Sequence, residues 1–294
     1  MKTLRAGIID VFGEQPFSGN PLAVVEGADS LSESQMRAIA REFNQAETTF
    51  VLHSDRADRK LRSFTAAGIE VFGAGHNALG AWLWLAHRGD LGPLEVAATF
   101  RQEIGEEVLA ITIDRQGGDI VGRMKQAPAK LLGVFPDLKV LANALELKHE
   151  DLQMEPPPRV VHTGTAHLLV GAKGREAVDR ARPHHERLLP LLKQVQAEGC
   201  YLFARGCAGK SDYAYARFFN PTVGLWEDAA TGTAAGPLVA YLDAAGLLGA
   251  ERTLCVEQGV KMGRRSLLNL RLTPEPELTG SGVIVLQGEL AVRG

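Results

Sequence analysis

GAGHNALGAWLWLAHRG, residues 73–89, is the stretch on which the fold turns. From Ala78 to Ala86 it is apolar on every side, and a helix with no polar face is buried rather than laid on a surface. The run is far too short to span a bilayer. A second stretch of the same kind, GLWEDAATGTAAGPLVAYLDAAG at residues 224–246, again places a Gly/Ala-rich segment ahead of an apolar helix. Short strand-like segments surround both. Arg5–Val11, Leu22–Val25, Thr48–His53 and Lys60–Thr65 precede the first helix, and Arg159–His162, Leu168–Val170, Tyr201–Ala204 and Tyr213–Phe219 precede the second. Each half also carries one amphipathic helix. The first is opened by Ser32 and Gln35 at capping-box spacing, with Met36, Ile39, Ala40 and Phe43 as its apolar stripe; the second lies at about His185–Glu198. This predicts an α+β protein with a weak internal duplication, each half wrapping strands around one buried helix. Helices and strands do not alternate regularly, which argues against a doubly wound parallel sheet.

At 294 residues the chain is long enough for two domains, each with its own core. Hydrophobic residues at 45% and charged residues at 23% match ordinary soluble globular composition. A net charge of −3, with no Lys/Arg run, gives no footprint for nucleic acid. The N-terminus MKTLRAGIIDVFG reads straight into a strand, without the apolar core and cleavage site of a signal peptide. Cys200, Cys207 and Cys255 form no metal spacing and cannot all pair, which predicts reduced thiols in a cytoplasmic protein. The most linker-like segment is Gln126–Pro158, with Pro128, Pro136 and the run Pro156–Pro158. The halves are therefore set at residues 1–126 and 127–283, with a last strand at about 284–294 packing back on the first half.

The two buried helices begin alike, at Gly75-His76-Asn77 and at Thr231-Gly232-Thr233-Ala234. A helix N-terminus leaves backbone N–H groups unpaired and carries partial positive charge, and glycines let a ligand approach the backbone. Two such ends acting together would hold a small carboxylate-bearing molecule. Glycines at one such place serve tight turns as readily as ligands; their recurrence in each half favours the site. Glu47, in FNQAETTFVL, sits where an amphipathic helix gives way to an apolar strand. Apolar walls favour a protonated carboxyl and raise its pKa toward the range of a general acid/base. A lone glutamate at such a junction otherwise reads as solvated. Glu227 and Asp228 read either as helix-dipole partners or, for Asp228, as a contact for a substrate amine or hydroxyl.

Other motifs do not carry chemistry. GCAGKS at Gly206–Ser211 lacks the first glycine of a phosphate-binding loop, Ala204 standing in its place. In GAGHNALG the third glycine, Gly80, lies two residues beyond dinucleotide-loop spacing. His184-His185 has no partners at zinc-ligand spacing. His162 and His167 flank a strand turn and read as structural, and Trp82 and Trp84 read as core whose indole N–H groups need acceptors.

Five segments in one order, DVFGEQPFSGNPLAVV, FNQAETTFVL, FTAAGIEVFGAGHNALGAW, RFFNPTVGLWEDAATGTAAG and QGVKMGRRS, resemble the phenazine-biosynthesis PhzF-like isomerase family with its diaminopimelate epimerase-like fold. The resemblance implies two pseudo-symmetric halves, each a curved, mostly antiparallel sheet or barrel around a central helix, with the active site in the cleft between. It implies a cofactor-independent isomerase that holds no metal and moves a proton on a small substrate, such as a cyclic amino acid. Glu47 matches the family's catalytic glutamate, His76 the histidine of its GH motif and Asp228 its ED aspartate, with the latter two orienting substrate and assisting proton transfer. Gly75, Gly232 and Thr233 match positions that meet a substrate carboxylate, and Asn77 and Ala234 complete the two helix starts. Ala66, Ala74, Ala229 and Thr233 depart from the family's usual residues, which bears on the substrate rather than on the acid/base. Related epimerases use two cysteines, and none of Cys200, Cys207 or Cys255 stands in either helix start. The rival expectation is a non-catalytic ligand-binding or interaction protein retaining the same cleft. A homodimer is expected on general grounds.

Overall fold

The computed structural model describes residues 2–206, 209 and 212–292. The chain divides into two compact units, one of Met1–Met124 and Thr279–Gly294, the other of Lys125–Leu278.

The first unit contains β1 (Lys2–Val11), β2 (Asn20–Glu26), α1 (Glu33–Phe43), β3 (Glu47–Leu52), β4 (Arg59–Thr65), β5 (Glu70–Val71), α2 (His76–His87), β6 (Ala98–Ile104), β7 (Glu107–Gln116) and β8 (Asp119–Lys125). The capping box forms as the sequence predicts: the Gln35 amide donates to the Ser32 hydroxyl, and the Ser32 amide donates to the Gln35 side chain. Met36 and Ala40 bury the stripe. A helix between two strands allows a parallel crossover, and α1 joins β2 to β3 as a parallel pair. Likewise α2 lies in the connection between β4 and β6, also parallel. The remaining neighbours β1–β2, β3–β4, β6–β7 and β7–β8 are antiparallel. Pairing of the last strand with both β8 and β1 closes an eight-stranded barrel. Inside it every residue of α2 from His76 to Ala86 is buried. The tryptophans find their acceptors: Trp82 Nε1 donates to Gln102 at 2.9 Å and Trp84 Nε1 to Glu26 at 2.6 Å.

The second unit contains β9 (Lys130–Val134), α3 (Leu138–Ala144), β10 (Arg159–His162), β11 (Ala166–Gly171), α4 (Arg175–Arg180), α5 (His185–Gln194), β12 (Gly199–Arg205), β13 (Tyr213–Asn220), β14 (Leu225–Asp228), α6 (Gly232–Ala244), β15 (Thr253–Gln258) and β16 (Ser266–Thr273). The 18-residue β17 (Glu275–Val292) carries the chain back into the first unit. The order of ladders repeats that of the first unit. β10–β11 is antiparallel, β11–β12 parallel, β12–β13 antiparallel, β13–β15 parallel and β15–β16 antiparallel. The short β14 hairpin on β13 matches β5 on β4. Helix α6 is buried from Ala234 to Leu242, as α2 is in the first unit.

The fold is thus α+β, with one buried helix in each unit. Segment 126–158 differs from its linker-like reading. It carries β9, which pairs with β10, and α3, while Phe135, Leu141, Ala142, Ala144, Leu145 and Leu152 join the core of the second unit. The prolines and short polar stretches there punctuate small packed elements.

Candidate active site

Glu47 is the first residue of β3 and is half-buried. In the ladders it stands opposite Leu22 of β2 and Thr65 of β4. The loop joining β1 to β2 lies at the same end of the barrel, since Val11 pairs with Asn20. That loop is strained: Phe12 (φ 63°) and Phe17 (φ 67°) both occupy the left-handed region. Bulky residues persist there only where the surroundings hold them. Asp10, nearly fully buried, accepts the Phe17 amide at 2.7 Å.

Helix α2 starts at this end. Gly75, which opens it, has no side chain to cap the first turn, so the helix dipole ends there without a side-chain cap. His76 is buried and its Nε2 has no partner among the described residues. Burial lowers its pKa to about 4, so the ring is neutral near pH 7 and acts as a hydrogen-bonding group rather than a cation. Asn77 is buried, and its side chain bonds within the unit. Its Oδ1 accepts the Gly75 amide at 2.7 Å, and its Nδ2 donates to Gly73 O at 3.0 Å and Ser63 Oγ at 3.2 Å. Ser63 in turn meets Thr49 Oγ1 at 2.9 Å. The amide of Asn77 braces the glycine loop, tying it to the strand that begins with Glu47.

In the second unit Asp228 ends β14 and is half-buried. Its Oδ2 accepts from Thr231 Oγ1 at 2.6 Å. Gln258 completes the network, donating through Nε2 to Asp228 O (2.8 Å) and Thr231 Oγ1 (3.0 Å) and accepting from Tyr201 Oη (2.8 Å). Burial, and then the charge of Asp228, pushes the Tyr201 hydroxyl well above its ordinary pKa, so it stays a donor. Thr231 opens α6, yet its hydroxyl is engaged by Asp228 and Gln258 and caps nothing. The Gly232 carbonyl accepts from Gln126 Nε2 at 2.8 Å, and Thr233 Oγ1 lies 3.2 Å from His167 Nε2. Ala234 is buried in the first turn of α6.

Glu227 does not serve the helix. Arg217, nearly fully buried, holds it through Nε and Nη2 at 2.8 and 2.7 Å, a bidentate pair inside the unit. Gln258, Tyr201, Ser63 and Thr49 carry hydrogen bonds of the two networks at Asn77 and Asp228, and sequence reasoning left them without a role. Gln258 was visible only as the first letter of QGVKMGRRS, because a glutamine's partners are fixed by packing and not by spacing.

Among the described residues no group of three or more His, Cys, Asp or Glu is placed to hold a metal ion. No helix described is long and apolar enough to cross a membrane. Cys200 is a fully buried thiol in β12 whose pKa burial raises to about 12. Cys207 and most of GCAGKS lie outside the described residues. Cavities of about 410 and 350 Å³ open at the C-terminal ends of α2 and α6, the ends opposite His76 and Gly232.

The chain as a whole is similar to known proteins. The sequence profile described as phenazine biosynthesis-like protein matches residues 9–288. A trans-2,3-dihydro-3-hydroxyanthranilate isomerase of Pseudomonas chlororaphis is 32% identical, with 97% of this chain and 98% of the relative covered. An uncharacterised isomerase of Escherichia coli strain K12, YddE, is 31% identical, with 97% of each covered. A crystal structure of a PhzF-family phenazine biosynthesis protein from Bacillus anthracis superposes with a TM-score of 0.89 at 27% identity, over 99% of this chain and 100% of that one. A profile that spans nearly the whole chain, and isomerase relatives matched end to end, make this chain an isomerase of the phenazine biosynthesis-like (PhzF) family.

Proposed function

We propose that the enzyme moves a proton on a small cyclic substrate bearing a carboxylate and an amine, without metal or organic cofactor. Glu47 is the general acid/base. It takes a proton from one ring carbon and returns it at another. His76, held neutral, and Asp228, held by Thr231 and Gln258, orient the substrate and share developing charge. The helix starts at Gly75–Asn77 and at Gly232–Ala234, with the Thr233 hydroxyl, receive the carboxylate. The observation that carries this reading is the position of Glu47. It is a half-buried carboxylate at the start of β3, at the barrel end where α2 presents an uncapped first turn and the buried His76. The 32% identity to an enzyme named for trans-2,3-dihydro-3-hydroxyanthranilate points to a dihydroaromatic amino acid as the substrate class. A reduced cytoplasmic enzyme fits the buried free thiol of Cys200, and we assign a homodimer on the frequency of two-fold assemblies.

The test is solvent deuterium incorporation into trans-2,3-dihydro-3-hydroxyanthranilate and a panel of cyclic amino acids. Exchange in the wild type that disappears in Glu47→Gln supports the reading. Exchange at the same rate in Glu47→Gln removes Glu47 as the base. Saturable binding without any exchange across the panel would return the non-catalytic alternative.

A further inference from the structure

We propose that His167 is a positioning residue for the ligand end of α6. Its imidazole donates through Nε2 to Thr233 Oγ1, and this frees the Thr233 hydroxyl proton for the substrate carboxylate. The inference rests on the reading above, in which the first turn of α6 receives that group.

His167 lies near the start of β11 and is 1% exposed. Its Nε2 is 3.2 Å from Thr233 Oγ1, and its Nδ1 is buried with no partner among the described residues. An edge-on contact with Phe218, at 5.0 Å between ring centroids and 88° between planes, fixes the ring. Burial, with a smaller contribution from His162, lowers the pKa of His167 to about 3, so the ring carries one proton at neutral pH. A buried N–H without an acceptor is costlier and rarer than an unfilled acceptor. The proton therefore belongs on Nε2 and the bare lone pair on Nδ1. Thr233 Oγ1 then accepts from His167 and keeps its own hydrogen to donate. The opposite tautomer would draw the Thr233 hydrogen inward and turn oxygen lone pairs toward an arriving anion.

The fold itself does not require an imidazole at this position. In the first unit the matching ladder position, opposite the first residue of the parallel strand, is Leu22; in the second it is His167, opposite Gly199. A leucine there packs without leaving a polar atom buried.

The tautomer is read by two-bond ¹H–¹⁵N correlation spectra of the ligand-free protein at pH 7. Nε2-protonated His167 is expected, and a proton on Nδ1 overturns the proposal whatever the substrate proves to be. The role is read kinetically with trans-2,3-dihydro-3-hydroxyanthranilate, and by affinity for anthranilate, which needs no turnover. His167→Phe and Thr233→Val should each raise KM, and weaken anthranilate, about tenfold or more, the range of one hydrogen bond to a charged group. The double variant should be no worse than either single one, and His167→Gln should restore binding to within about threefold of the wild type. Additive losses, or equal anthranilate affinity in wild type and His167→Phe, would overturn the role. Failure of deuterium exchange in the wild type would instead count against the proposed isomerisation and leave the tautomer and affinity results to decide His167.

Discussion

The two units share one ladder order but treat the same positions differently. The first residue of the strand parallel to its neighbour is Glu47 in one unit and Gly199 in the other. Gly199 has no room for an acid, because a Cβ there would come within 2.3 Å of the Phe218 ring. The helix starts differ as well. In α2 the opening residue is glycine and has nothing to cap with; in α6 it is a threonine whose hydroxyl is held by Asp228 and Gln258. Neither start has a side-chain cap, for two different reasons. In the proposed reaction a duplicated scaffold thus carries an asymmetric chemistry: one unit supplies the proton-moving carboxylate, the other a braced aspartate.

The largest expected effect breaks that asymmetry. Glu47→Gln should lower kcat/KM about 10³-fold, within the usual range for losing a positioned general base, in an assay of the isomerase reaction. Adding Gly199→Glu should not restore activity, because the Phe218 ring fills the space. Recovery in the double variant would mean that the units are chemically interchangeable.

Much of this asymmetry was legible. The two buried helices were marked by their unbroken apolar runs, and the capping box by Ser32 and Gln35. Glu47, His76 and Asp228 stood in motifs in the family's order. What was missed has physical causes. Strand β17 reads as beginning only at about residue 284, because Pro276, Gly280 and Gly282 look like breaks; barrel closure supplies partners that override local propensity. Strand β6, ATFRQEI, shows no apolar alternation and buries Gln102 and Glu103 beside Ile104. The network at Asp228 is made by residues from β12 and β15, and no spacing along the chain announces it.

The next effect compares two histidines, one in each unit. The unfolded chain binds a proton on each imidazole near pH 6.5, whereas folded His76 and His167 resist protonation down to about 4 and about 3. Between those limits the unfolded state holds more protons, so stability falls as pH drops from 6.5. His76 alone should contribute a loss of about 3 kcal/mol by pH 4, at about 1.4 kcal/mol per pH unit. Urea midpoints measured from pH 7 to 4 should show this slope, and His76→Gln and His167→Gln should each flatten it. An unchanged slope in both variants would exclude these imidazoles as its source.

A smaller effect tests the glycines at matching places in the central helices. Gly80 and Gly236 are each the fifth residue of their helix. A Cβ at Gly80 would come within 2.6 Å of Leu22 and Val11, while one at Gly236 would overlap the Gln126 amide. Alanine at either should cost about 1–3 kcal/mol, the usual range for overpacking, in denaturant unfolding. The two should part when Gln126→Ala is added. That change removes the obstacle at Gly236, where alanine then gains up to about 1 kcal/mol from helix propensity. It should do nothing for Gly80→Ala.

The smallest effect concerns the open start of α2. A side chain at Gly75 has room, its nearest neighbour being Asn77 Oδ1 at 3.5 Å from a built Cβ. Gly75 has φ −135°, outside the left-handed region. Gly75→Ser places a hydroxyl where the first-turn N–H groups are unpaired. If those groups are open only for want of a cap, serine should stabilise the fold, by a few tenths of a kcal/mol relative to glycine. It should also compete with the substrate carboxylate and raise KM several-fold while kcat changes less. Stability and affinity moving in opposite directions is the signature of a helix end kept open for a ligand. If Gly75→Ser stabilises the protein and leaves KM untouched, the carboxylate does not dock on α2. Anion binding would then fall to α6 alone, where Thr231 is already diverted by Asp228, and the asymmetry between the units would be deeper than a single glutamate.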